Sequence, residues 1–109
     1  MKTIDTQQLT QRIDAEQIPV IDVLAGDQFQ QGHLPGAVNV PLDDQFDSKI
    51  QAAVPDKSQE VIVYCASPQC SASPKAAQRM EALGYQNVID YEGGKQAWQD
   101  NGLSLETSA

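Results

Sequence analysis

The sequence predicts an α/β fold with a mainly parallel central sheet of about five strands and helices on both faces. Short β-branched runs alternate with helix-length amphipathic segments, and strands separated by helices pair in parallel and are covered on both sides. Turn-forming residues fall between the runs. Thr3-Ile4 reads as a short opening strand. Thr6 is read as the N-cap of a helix through about Ala15, with Leu9 and Ile13 four residues apart on one face. Pro19 precedes Val20-Ile21-Asp22-Val23, a buried strand. Gly32-His33-Leu34-Pro35-Gly36 is a loop, followed by a short strand, Ala37-Val38-Asn39-Val40, closed by Pro41. Asp43 to Ala53 reads as a helix, with Phe46, Ile50 and Val54 at steps of four and Asp43, Asp44 and Asp47 as its solvated start, favoured by the helix dipole. Glu60-Val61-Ile62-Val63-Tyr64 is β-branched and too short for a helix, so it is the firmest strand. Ser73 to Leu83 is helical, since Ala76, Ala77, Met80 and Leu83 share a face, and Gly84 fits its C′ stop. Val88-Ile89-Asp90-Tyr91 is the next strand. Gly94 to about Asn101 is the last helix, with Ala97 and Trp98 facing inward.

At 109 residues the chain has room for one domain, spanning 1–109, with one packed core. Its net charge of −8 sets it against nucleic acid and anionic lipid, so neither is expected as a partner. No apolar run is long enough to cross a bilayer. The start, Met1 to Thr6, has no apolar stretch after Lys2, so a secretory leader is not expected, and a cytoplasmic monomer is.

The charge is unevenly spread. From Val61 to Met80 there is no Asp or Glu, while Lys75 and Arg79 make the window +2 and leave −10 for the rest. Both cysteines, Cys65 and Cys70, lie inside it. Ligands of open α/β sheets bind beyond the carboxyl ends of the strands, and Cys65 follows the firmest one. Ala66-Ser67-Pro68-Gln69-Cys70-Ser71 is small and turn-forming and leads into a helix. Such a loop can turn its amides inward around an anion, and the helix start adds more. A thiol placed there is expected to have a lowered pKa and to act as a nucleophile. The bland alternative is a pair of buried core cysteines and a strand and helix with no room for carboxylates. Two cysteines and one histidine, His33, are too few for a zinc site. A structural disulfide does not suit a cytosolic chain, but the spacing lets the two thiols pair transiently.

These residues resemble a known family. Val20-Ile21-Asp22-Val23 with Phe29 and the run Gly32 to Leu42, then Val63-Tyr64-Cys65 with Ser71 and Ala76-Ala77, then Leu83-Gly84-Tyr85 with Asn87-Val88 and Tyr91-x-Gly93-Gly94-x-x-Ala97-Trp98 with Gly102-Leu103, resemble the three signatures of rhodanese-like domains, in the family's order. The resemblance implies a single-domain sulfurtransferase that needs no metal or organic cofactor. Cys65 would take a sulfane sulfur from a small anionic donor such as thiosulfate, hold it as a persulfide, and pass it to cyanide, a thiol or a protein acceptor. The amides of Ala66 through Ser71 would hold the terminal sulfur.

Three departures from the pattern stand out. The Arg usual five residues after the cysteine is Cys70 here, which removes a fixed charge for an anionic donor. The stretch from Cys65 to Ala76-Ala77 is about two residues longer than usual, as in phosphatases and arsenate reductases of this fold. The Arg often found two residues after the first-strand Asp is Leu24. Lys75 or Arg79 is a replacement cation or a solvated surface residue. Cys70 is a resolving thiol or a small loop filler. Asp22 is expected to bond loop amides near the site rather than move protons, His33 to bond backbone, and Trp98 to anchor packing. The competing functions are a phosphatase or arsenate-reductase-like enzyme, against which the missing guanidinium counts, and a non-catalytic binding or redox-sensing module using Cys65 and Cys70.

Overall fold

The structure is a computed structural model that describes residues 2–15 and 17–107, with the side chains of 14 and 15 excepted. Ten elements follow one another: β1 (Lys2–Thr3), α1 (Thr6–Ala15), β2 (Val20–Asp22), α2 (Gly26–Gln31), β3 (Val38–Asn39), α3 (Phe46–Ala53), β4 (Val61–Tyr64), α4 (Ala72–Ala82), β5 (Val88–Tyr91) and α5 (Gly94–Asp100). All strand pairs are parallel, in the order β1-β5-β4-β2-β3. The chain builds β3 outward from β2, then crosses to the other side of β2 for β4 and β5. The carboxyl ends of β2 and β4 therefore flank the point where the winding reverses, where this class of sheet opens a crevice.

Side-chain alternation along the strands divides the core into two layers. Val61, Val63 and Cys65 pack with Phe46 and Ile50 of α3 and Ala76, Ala77 and Met80 of α4. Ile62 and Tyr64 pack with Leu9 of α1 and Trp98 of α5. The same parity on β5 puts Val88 in the α3/α4 layer and Ile89 and Tyr91 in the α1/α5 layer. The helix α4 ends in a Schellman motif: Gly84 N–H donates to the Glu81 carbonyl and Tyr85 N–H to that of Met80, with Gly84 at φ +100°.

Several boundaries differ from the sequence reading. The first strand is one residue earlier, at Lys2–Thr3. Thr6 is not the cap of α1. Asp5 Oδ1 accepts from Gln8 N–H at 2.8 Å and Gln8 Oε1 from Asp5 N–H at 3.2 Å, a capping box set one residue earlier. The freed Thr6 hydroxyl instead meets the Tyr91 hydroxyl at 2.6 Å. The third helix begins at Phe46, because Asp43 Oδ1 accepts from Gln45 N–H and ties 43–45 into a turn. The edge strand β3 keeps only Val38–Asn39 of the four residues expected. The six-residue α2 was missed, since it contains one large apolar residue, Phe29, and opens on a glycine.

Candidate active site

Cys65 immediately follows β4, with its side chain in the α3/α4 layer and 1% exposed. The loop after it closes on itself where Cys70 N–H donates to the Ser67 carbonyl at 3.1 Å. Its start is fixed from the opposite side. Lys95 N–H donates to the Cys65 carbonyl at 3.1 Å and Gln96 N–H to that of Ala66 at 2.9 Å. The first amides of α5 thus hold the backbone of the cysteine itself. This approach requires glycine at 94, where φ is +61° and a Cβ would stand 2.3 Å from the Cys65 oxygen.

Cys65 Sγ lies 3.5 Å from the Cys70 carbonyl oxygen and 3.5 Å from Ser73 Oγ, and its thiol proton can be donated to either. Burial pushes the Cys65 thiol above its ordinary pKa. Cys70 adds to this, against the pull of the Ser73 hydroxyl and amide. Cys70 behaves oppositely. Burial again pushes upward, but the Cys65 thiol and the amides of Ala66 and Ala72 outweigh it and bring Cys70 below its ordinary value. The expected lowered pKa at Cys65 is therefore corrected. The inward-turned amides exist, but those of Ala66 and Ala72 converge on Cys70, and the more buried sulfur bears the desolvation cost.

A pocket of about 260 Å³ opens beside the loop, lined by Pro68, Cys70, Ser73, Pro74, Asp90 and Glu92. Cys65 is not in its wall and stands behind Cys70 and Ser73. The acid-free surroundings expected of the thiols hold along the chain but not in space. Parity puts Asp90 on the same sheet face as Val88, and register pairs it with Val63, two residues before Cys65. Asp90 is 1% exposed, and its Oδ1 has no hydrogen-bond partner among the described residues. Burial pushes its carboxyl pKa up, a hydrogen bond from Ser73 pulls it back, and the charge of Glu92 pushes it up again. Sequence reading missed Asp90 and Ser73. The available signal was an Asp in an apolar strand, two residues from Val88.

The rhodanese-like domain pattern matches residues 5–101. The chain belongs to the rhodanese-like family. It is 39% identical over 75 residues to the thiosulfate sulfurtransferase PspE of Escherichia coli, covering 69% of each protein. It is also 26% identical over 106 residues to an HTH-type transcriptional regulator of Mycobacterium tuberculosis, covering 97% of this chain but 45% of that protein, so it spans less than half of that relative. A crystal structure of a rhodanese-like domain protein from Staphylococcus aureus superposes with a TM-score of 0.82 at 26% identity, over the full length of both chains.

The remaining residues singled out in this rhodanese-like domain lie elsewhere. Asp22 does bond a loop amide, but that of Leu24 in its own loop, at 2.9 Å, and not one from the Cys65 loop. Its Oδ2 accepts from the Tyr64 hydroxyl at 2.8 Å, and Lys95 Nζ is 4.0 Å away. It therefore belongs to the α1/α5 face, opposite the thiols. Arg79 is held by Asp47 of α3, 2.7 Å away, and the exposed Lys75 lines the same outer surface with Leu42 and Arg79. Neither lines the pocket beside the thiols; both line the outer surface of α4. His33 bonds backbone as expected: Nδ1 meets the Phe29 carbonyl oxygen at 2.9 Å, and its ring stacks on Phe29. Trp98 is buried and donates to the Ser104 carbonyl. Among the described residues, no group of three or more His, Cys, Asp or Glu could hold a metal ion, and no helix is long and apolar enough to cross a membrane.

Proposed function

We propose that this rhodanese-like domain is a sulfurtransferase that carries sulfane sulfur as a persulfide on Cys65. The observation that carries this reading is the placement of Cys65 at the end of β4, its backbone held by the first amides of α5 and its Sγ 3.5 Å from Ser73 Oγ, with the Cys70 thiol as its hydrogen-bond neighbour. The Cys65 proton passes to Cys70, and the Cys65 thiolate attacks the outer sulfur of the donor. With thiosulfate the S–S bond breaks and sulfite leaves with the electron pair. The Cys65 persulfide then faces the Ser73 hydroxyl and the amides around Cys70, which stabilise its charge. An acceptor thiolate attacks the terminal sulfur, and Cys65 leaves as the thiolate. The likeness to a named thiosulfate sulfurtransferase supports this chemistry.

A second reading is favoured by the same contact between the two thiols. The Cys70 thiolate attacks the inner sulfur of the Cys65 persulfide, so that a Cys65–Cys70 disulfide forms and hydrosulfide leaves, and an external thiol then reduces the disulfide. A phosphatase reading is disfavoured by the two carboxylates at the pocket and by the absence of a guanidinium there.

The test is sulfur transfer from thiosulfate or a hydropersulfide to cyanide, with a phosphate ester as control substrate. Cys65→Ser is expected to abolish transfer. Cys70→Ser is expected to keep it but to shift its pH dependence to the alkaline side, since the proton acceptor is gone. Transfer at the parent rate by Cys65→Ser, or cleavage of the ester alone, overturns the proposal. Stoichiometric sulfide release with loss of two hydrogens from the protein mass selects the disulfide route.

A further inference from the structure

The pocket beside the thiols carries an unbalanced charge. Asp90 is buried in its wall with Oδ1 unpartnered among the described residues, and Glu92 stands exposed on the same wall. A buried carboxylate oxygen without a donor is costly, so a ligand that brings one gains the interaction that the protein does not make for itself. No Lys or Arg of the described residues lines this pocket. Arg79 pairs with Asp47, Lys75 lies on the outer flank of α4, and Lys95 donates to the Gln28 carbonyl and stands 4.0 Å from Asp22 on the α1/α5 face, opposite the thiols. The family's usual Arg position holds Cys70, which itself lines the pocket. An oxyanion entering here meets two carboxylates and no counter-charge. An ammonium group meets Asp90 and Glu92, and brings a thiol on the same small molecule to Cys70, behind which Cys65 and the outer sulfur it carries stand.

We propose that the sulfur acceptor taken by this pocket is an aminothiol, a small thiol whose ammonium group is held by Asp90 and Glu92 while its sulfur faces the Cys65–Cys70 pair. This rests on the sulfurtransferase reading and names the class of its acceptor. In the transfer step the aminothiol thiolate attacks the terminal sulfur of Cys65–S–SH. The S–S bond to Cys65 breaks, the aminothiol hydropersulfide forms, and the proton lost by the aminothiol is balanced by protonation of the departing Cys65 thiolate. The volume of about 260 Å³ suits a molecule of a few heavy atoms. Pro68 and Pro74 add apolar wall beside the two carboxylates.

A charge series tests this. Cys65 is loaded with sulfur from thiosulfate or a hydropersulfide, loading is read by intact mass, and the donor is removed. Transfer is then timed to cysteamine, 2-mercaptoethanol and mercaptoacetate, which are cationic, neutral and anionic thiols of similar length, with rates expressed per thiolate. Cysteamine is expected to react about tenfold faster than the neutral thiol, with mercaptoacetate slowest. Asp90→Asn is expected to flatten the series, chiefly by slowing cysteamine, and the exposed Glu92→Gln to flatten it in part even if Asp90→Asn fails to fold. A flat or inverted series in the parent, or a series equally steep in both variants, overturns the aminothiol assignment while leaving the sulfurtransferase reading intact. Failure of both donors to load Cys65 instead overturns the sulfurtransferase reading, and the assignment with it.

Discussion

Two aspartates are buried in the sheet of this domain, on opposite faces and to opposite effect. Asp22 ends β2 in the α1/α5 layer, 0% exposed, and both its oxygens accept: one from Leu24 N–H, the other from the Tyr64 hydroxyl. That hydroxyl in turn accepts from Leu34 N–H at 3.0 Å. Burial, then the neighbouring Asp22 charge, push the Tyr64 pKa far up, so it stays a donor. Asp90 sits in β5 in the α3/α4 layer, 1% exposed, with Oδ1 unpartnered among the described residues and the residue in the wall of the pocket that holds Cys70 and Ser73. The first aspartate is sealed into a network that joins β2, β4 and the loop carrying Leu34. The second is costly to bury and faces the only thiols of the chain. Equal burial therefore does not mean an equal role, and what separates the two is whether the protein itself supplies the donors.

The sharpest way to break this comparison is at Asp22. Asp22→Ala leaves the Tyr64 hydroxyl and the Leu24 amide unpaired in the interior, and is expected to cost about 3 kcal/mol in a denaturant titration. Asp90→Asn is expected to do the reverse and raise stability at neutral pH by about 1 kcal/mol, the scale of one uncompensated buried polar group. The sign follows from the raised carboxyl pKa. A raised folded pKa favours the protonated form, so the parent is relatively most stable below the unfolded value of 3.8 and loses stability as pH rises through the folded pKa. The gap between Asp90→Asn and the parent should therefore open across that interval and be small in acid. An equal gap at pH 3 and pH 8 would contradict the burial explanation.

Ser73 touches both sides of the thiol site. Ser73→Ala removes a group 3.5 Å from Cys65 Sγ and the hydrogen bond that restrains Asp90. Persulfide formation is expected to slow about tenfold, with its pH profile moved to the alkaline side, as read by stopped-flow loading. The smallest effect is expected at the Arg79–Asp47 pair, which is half-exposed on both sides. Arg79→Ala should cost less than about 1 kcal/mol and leave sulfur transfer unchanged, because exposed ion pairs contribute little. A loss of transfer there would reinstate Arg79 as the missing cation.

The fold was largely legible because its signals are local. β-branched runs, helix faces and Gly84 at a C-terminus each act within a few residues, and all five strands and four of the five helices follow from them. The exception, α2, is too short and polar to show periodicity. The position of Cys65 was legible for the same reason. Its surroundings were not, because they depend on which strands are neighbours. The acid-free window describes the chain from Val61 to Met80, but β5 lies beside β4 and returns Asp90 to the thiols. Likewise, nothing local says that the loop amides converge on Cys70 rather than Cys65, since that depends on how the loop folds onto α4 and α5. Alternation within Val88-Ile89-Asp90-Tyr91 would have placed Asp90 on one face, and strand order was needed to say what it faces.

The persulfide itself is the most direct measurement. The parent protein is loaded with a sulfur donor, alkylated under non-reducing conditions, and fragmented in the mass spectrometer between Cys65 and Cys70. The predicted result is one added sulfur on the Cys65 side, with Cys70 alkylated as an ordinary thiol. An added sulfur confined to Cys70, or none on either residue, would contradict the assignment of Cys65 as the sulfur carrier.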